Sequence, residues 1–282
     1  VQTRHDLAGI DWCWLALGSE GRGEQTFATD QDNALLFSAR DAADARAKRE
    51  RLLAFARDVN ACLDALGFPL CTGNVMASNP DLCLSTEEWK AKFLAWIRAP
   101  TPQALLSANI VFDFRALCGD MTLCEVLREW LFSYTQANPM FLRLMVQNAL
   151  AVEPPLGLIR TFVVDDDATL KGTLDLKSRG TRIFVDCARV FALAHGIPET
   201  GTAARIRLAG ARLHVEQKHV DATVEAFHFL QFLRLRQQDL PARGSPNRID
   251  PGALHDIDQR MLKEAFRQAK QLQERLRLTY RL

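Results

Sequence analysis

Leu17-Gly18-Ser19-Glu20-Gly21-Arg22-Gly23-Glu24-Gln25-Thr26-Phe27-Ala28-Thr29-Asp30-Gln31-Asp32 joins two apolar runs, Trp12–Leu17 before it and Ala34–Phe37 after it. Short apolar runs bounded by glycine and polar residues read as buried strands, so the stretch is a strand–turn–strand connection. Glycine directly after a strand lets backbone approach a ligand closely. Ser19 adds a hydroxyl, and Arg22 adds a permanently charged planar fork suited to phosphate oxygens. Asp30 and Asp32 are two residues apart, so on extended chain their side chains share a face. Neighbouring carboxylates repel unless one is protonated or a cation lies between them. Oxygen ligands that leave room for substrate phosphates favour Mg²⁺, with Mn²⁺ as a substitute. Taken alone, Gly18-Ser19 is also an ordinary turn, and Asp30-x-Asp32 a solvated strand start.

Outward from this stretch, the pattern predicts a helix over 41–66 with Leu52, Ala56, Val59, Leu63 and Leu66 in one stripe, closed by Gly67 and Pro69. Ser85-Thr86-Glu87-Glu88 reads as a capping box, followed by an apolar face of Trp89, Phe93, Trp96 and Ile97. Asn109–Leu117 is expected to be a third strand. On it Asp113 shares a face with Val111 and Arg115, away from Ile110, Phe112 and Phe114. A charge embedded among apolar residues demands a partner, which makes Asp113 either a third metal ligand or a structural partner of Arg115. A helix is expected over 122–136. The second half reads as mainly helical, with helices over 182–195 and 216–238 and a last one carrying Ile257 to Leu276. Asp165-Asp166-Asp167 is expected to be a solvated turn in an irregular connection with a short hairpin, and Pro241–Pro251 a loop. The fold class is therefore α+β, a mixed sheet with flanking helices over 1–140 followed by an all-α helical bundle over 141–282.

Gly18-Ser19, ten residues, then Asp30-x-Asp32 resembles the signature of the DNA polymerase beta-type nucleotidyltransferase superfamily. The fuller string LGSEGRGEQTFATDQDNALLF is similar to a narrower group, the nucleotidyltransferases attached to cyclic-nucleotide-binding and CBS domains in bacterial signalling proteins. That group is related to PII uridylyltransferases and glutamine synthetase adenylyltransferases. Asp113-Phe114-Arg115 resembles the setting of their third carboxylate. Lys177 and Arg182, in the segment Asp175–Asp186, resemble a nucleotide-contacting Lys/Gly/Arg segment, although the relatives' paired glycines are reduced here to Gly180. The resemblance implies a nucleotidyltransferase-type sheet domain and a helical substrate-binding domain. It implies Gly18, Ser19, Arg22, Lys177 and Arg182 on a nucleoside triphosphate. It further implies Asp30, Asp32 and Asp113 as catalytic metal ligands, a protein acceptor, and sensory domains upstream in a longer chain. The alternatives are a catalytically silent nucleotide-binding module and a protein-interaction module that dimerises through its helices.

Bulk properties restrict the partners. The net charge is only +1, so no broad basic field draws the chain to nucleic acid or an anionic membrane. No stretch has the ~20 apolar residues of a membrane span. Seven cysteines without a C-x-x-C pair fit neither a disulfide framework nor a zinc site. They read as small hydrophobes of a reducing cytoplasm. The histidines show no ligand spacing.

Overall fold

A computed structural model describes residues 1–157, 162–166, 170–239 and 246–282. The chain divides into two compact units, Val1–Gln25 with Thr29–Phe141, and Thr26–Ala28 with Leu142–Leu282.

The first unit is built on strands β1 (Trp12–Ala16), β2 (Asn33–Phe37), β3 (Cys83–Ser85) and β4 (Arg115–Gly119), in the order β3-β2-β1-β4. β1 runs antiparallel to both β2 and β4, whereas β2 and β3 are parallel, so the sheet is mixed. All five residues of β1 and of β2 are buried, which is why these segments read as continuous apolar runs rather than alternating ones. Helix α2 (Ala42–Ala65) covers one face. Its Phe55 ring lies 5.1 Å from Trp12 and 6.0 Å from Trp14, and Leu52 and Ala56 join the same cluster. Asp41 caps α2 by accepting from the amides of Ala43 and Asp44, and Gly67 turns away at φ +97° just beyond its end. Helix α3 (Thr86–Arg98) starts on the expected capping box between Ser85 and Glu88. Trp89 is fully buried and its indole donates to the Leu35 carbonyl at 3.0 Å, fixing α3 to β2.

One expectation fails here. Asn109–Leu117 is not a strand. Thr101 and Pro102 start helix α4 (Pro102–Val111), a turn follows at Phe112 and Asp113, and β4 begins only at Arg115. A short apolar run carries no period of its own, and the Thr-Pro cap was the signal that decides for helix. Asp113 thus lies in a turn, and its strand-face relation to Val111 and Arg115 does not exist. Helix α5 (Met121–Gln136) completes the unit, with Asp120 as its cap. Helix α6 (Pro139–Leu150) follows.

The second unit holds helices α7 (Arg182–His195), α8 (Thr202–Arg212), α9 (Gln217–Asp239) and α10 (Asp256–Tyr280). Every residue from Ile183 to Leu193 is buried, including Asp186 and Arg189, which pair at 2.6 Å. That satisfies two charges that could not otherwise enter a core. Gly196 ends α7 in the left-handed region at φ +60°. On α10, Gln273 donates to the carbonyls of Ala149 and Val152, tying the last helix to the end of α6. A two-residue ladder joins β5 (Leu174–Asp175) to β6 (Arg248–Ile249), and Leu156 and Phe162 form a single bridge. Asp165 is not a solvated turn residue, because it pairs with Arg248 and, at 3.7 Å, with Arg179. Asp167 and residues 241–245 of the expected loop lie outside the described residues. Among the described residues no helix is long and apolar enough to cross a membrane.

The capping box gives a direct check. Ser85→Ala removes the side-chain acceptor for the Glu88 amide and should lower stability by ~1 kcal/mol, read from urea unfolding. An unchanged midpoint would mean that the box does not hold the start of α3.

Candidate active site

The turn after β1 is a single helical one, α1 (Gly18–Gly21). It packs so closely that two of its glycines have no room for a side chain. A Cβ on Gly21 would stand 2.1 Å from the Asp113 carbonyl oxygen and 2.9 Å from that of Ala16. A Cβ on Gly18 would stand 2.9 Å from the Asp32 carboxylate, and Gly18 adopts φ +51°. The absence of a side chain at Gly18 therefore sets the Asp32 carboxylate directly against the turn. The Leu17 amide donates to the Asp32 carbonyl at 2.9 Å, extending the β1–β2 pairing up to the turn. Ser19 is half-buried beside Gly18.

Asp30 and Asp32 lie in the segment leading into β2, both half-buried, and their carboxylates converge as their spacing implies. A third group joins them that the sequence reading passed over. Ligand atoms of Asp30, Asp32 and Cys71 all lie within 4.8 Å of one another. Cys71 arrives from the loop after α2, and nothing in its spacing from the aspartates could announce this. Burial pushes its thiol up to about 11, with the hydrogen bond to Asp32 and that residue's charge raising it further and the Val75 and Gly73 amides opposing. It is a neutral thiol at ordinary pH. Burial likewise raises the Glu20 carboxyl above the usual carboxylate range, with Arg115 pulling it down and Asp32 pushing it up.

Asp113 does not join the aspartate pair in this arrangement. Its side chain is fully buried and accepts from Arg22 Nη1 at 2.7 Å, while Arg22 Nε donates to Glu24 at 2.8 Å. Arg22, expected on phosphate, is thus held between two carboxylates with only 12% of its side chain exposed. Arg115 does not pair with Asp113 either. It donates to the carbonyls of Gly21 and Glu20, clamping the end of α1. So the structure gathers Gly18, Ser19, Asp30 and Asp32 at one place, and pairs Arg22 with Asp113. Lys177 and Arg182 belong to the second unit. Lys177 is exposed at the start of a π-helical turn over Lys177–Thr181, and Arg182 donates to Asp186 at 3.1 Å.

A glycine-serine turn after the first strand, set against a paired-carboxylate strand in a small mixed sheet, defines a nucleotidyltransferase-type domain. Residues 1–103 match the family described as "Putative nucleotidyltransferase DUF294", and residues 139–280 match "Putative nucleotidyltransferase substrate binding domain". The chain belongs to this nucleotidyltransferase family. No curated protein matches it.

The Arg22–Asp113 pair can be tested by a double-mutant cycle. Removing one partner of a buried ion pair typically costs about 3–5 kcal/mol, and Arg22→Ala should fall in that range by urea unfolding. Asp113→Asn should then cost markedly less in the Arg22→Ala background than in the native chain. Equal losses in both backgrounds would show that the two side chains are not coupled.

Proposed function

We propose that this chain transfers a nucleoside monophosphate from a Mg²⁺-bound nucleoside triphosphate to a hydroxyl acceptor. The observation that carries the reading is the convergence of the Asp30 and Asp32 carboxylates against Gly18. The donor set fits a hard cation. Two carboxylates supply oxygen ligands and leave the remaining positions to phosphate oxygens and water, as Mg²⁺ prefers. The neutral Cys71 thiol is a poor ligand for it. Asp30 and Asp32 would hold the cation, and its positive charge would be available to offset the charge that develops on the leaving pyrophosphate.

The protein's own groups divide the remaining work. Asp30 and Asp32 bind. Gly18 leaves the space in which a phosphate can approach the backbone, and Ser19 offers a hydroxyl to it. In the transfer, the acceptor oxygen bonds to the α-phosphorus and the bond to the β-phosphate oxygen breaks. Pyrophosphate leaves with that electron pair, and the acceptor's proton passes to solvent. Arg22 and Asp113 act beneath the turn as a buried ion pair that holds its shape, rather than as phosphate anchor and metal ligand. Resemblance to transferases that modify regulatory proteins supports a protein hydroxyl as acceptor and a setting in bacterial signalling, with sensory domains upstream. Lys177 and Arg182 stay as nucleotide contacts on that resemblance alone.

A second reading has one observation in its favour. Asp113 pairs with Arg22 and is not in the group of ligand atoms within 4.8 Å that holds Asp30 and Asp32, which fits a module that binds nucleotide without turning it over.

Both readings predict that Mg²⁺-NTP protects the fold. A ligand at a hundredfold excess over its Kd stabilises by about 2.7 kcal/mol, visible as a raised melting temperature. Only the transferase also releases pyrophosphate. Asp32→Asn should keep the fold while lowering pyrophosphate release on the order of 100-fold. Undiminished release from that variant would remove Asp32 from the chemistry, and nucleotide binding without release would favour the silent module.

A further inference from the structure

Between the two aspartates and immediately after them the chain carries amides, Gln31 and Asn33, and both are almost wholly buried. Side chains alternate along extended chain, so the faces divide: 30 and 32 point one way, 31 and 33 the other. What receives the inward pair is a third buried amide, Asn60, in the last third of α2. The Asn60 amide nitrogen donates to Gln31 Oε1 at 2.7 Å and to Asn33 Oδ1 at 3.0 Å. Gln31 Nε2 donates back to the Asn60 carbonyl at 3.0 Å and on to the Phe68 carbonyl at 2.9 Å. Asn33 Oδ1 accepts from the Ala77 amide at 2.8 Å, and Asn60 Oδ1 accepts from the Ser78 amide at 3.1 Å. Backbone bonds run alongside, from the Gln31 amide to the Pro69 carbonyl and from the Asn33 amide to the Val75 carbonyl.

This arrangement has a consequence for the site. Asn60 bonds to residues on both sides of Asp32 in sequence, and to the loop that delivers Cys71. A buried polar network holds its members in place because each unmade bond leaves a dry polar group. The strand can neither slip by one residue nor rotate without breaking these bonds, and either movement would turn both carboxylates together away from the Gly18 turn. We propose that Asn60 is a positioning residue for divalent-cation binding: through Gln31 and Asn33 it holds the face that carries the Asp30 and Asp32 carboxylates toward the Gly18 turn. It touches neither cation nor nucleotide. The inference rests on the metal-binding reading of Asp30 and Asp32 proposed above.

The experiment is a Mn²⁺ titration of the whole chain, followed by electron paramagnetic resonance of the free ion. The native chain should bind Mn²⁺, and Asp32→Asn should abolish that binding. Asn60→Ala should weaken it 10–100-fold, the range expected when a residue supporting a metal ligand is removed. Leu52→Ala is the control. It hollows the core on the same helix, so it lowers the melting temperature too, but it should leave Mn²⁺ affinity within about twofold, because a purely structural loss does not act on the ligands. Mn²⁺ affinity in Asn60→Ala within twofold of native overturns the inference while leaving the metal site standing, and so does an equal weakening in Leu52→Ala. No Mn²⁺ binding by the native chain overturns the metal reading itself. If Asn60→Ala does not fold, Gln31→Met removes the main acceptor of the Asn60 amide at similar volume, and the same thresholds apply.

Discussion

Asp30 and Asp32 carry like charges at close range, and the architecture around them makes sense as the means of keeping them there. Two unit charges within 4.8 Å of each other repel by roughly 3 kcal/mol or more at an effective dielectric of about 20. Left to itself, a strand end would swing one carboxylate out to water. Here it is held from below by the amides of Gln31 and Asn33, from the side by the Leu17–Asp32 backbone bond, and from above by a turn whose glycines admit no side chain. For the proposed cation binding, a pair already held in this arrangement needs little rearrangement.

The same logic explains the chemistry around the turn. Arg22 and Asp113 are separated by most of the first unit in sequence, yet form a buried pair under α1, and Arg115 takes the turn's last carbonyls. Each of these contacts fixes Gly18–Gly21 relative to β1 and the approach to β4. Arg22, expected on phosphate, and Arg115, expected on Asp113, both make contacts that hold the backbone of the turn. Burying such charges is tolerable only because they are matched.

Most of the sheet domain could be read directly from the sequence. β1 and β2 stood out because all their residues are buried, which leaves unbroken apolar runs at Trp12–Leu17 and Ala34–Phe37. α2, α3, α7, α9 and α10 announced themselves through their apolar stripes and caps. The fold class, α+β followed by helices, came from those elements and is what the structure has. Asn109–Leu117 misled because its β-branched and aromatic residues lie on the second half of a helix and the turn after it, where propensity yields to the Thr101-Pro102 start. That misplacement carried Asp113 with it, and a turn residue facing an arginine cannot be told in sequence from a strand residue facing a metal. Asp30 and Asp32 were legible because their geometry is local. Cys71 and Asn60 were not, since Cys71 reaches the aspartates and Asn60 the amides beside them only after the chain has folded back, and no periodicity records a contact of that kind.

The proposed function requires the Asp30–Asp32 pair to bind a divalent cation beside the Gly18-Ser19 turn. A crystal structure grown with Mn²⁺ and a non-hydrolysable nucleoside triphosphate tests this, with the metal located by its anomalous signal. One strong peak is expected between the two carboxylates, with the phosphates against Gly18 and Ser19. Nucleotide bound elsewhere, or a pair of carboxylates with no metal between them, would contradict it.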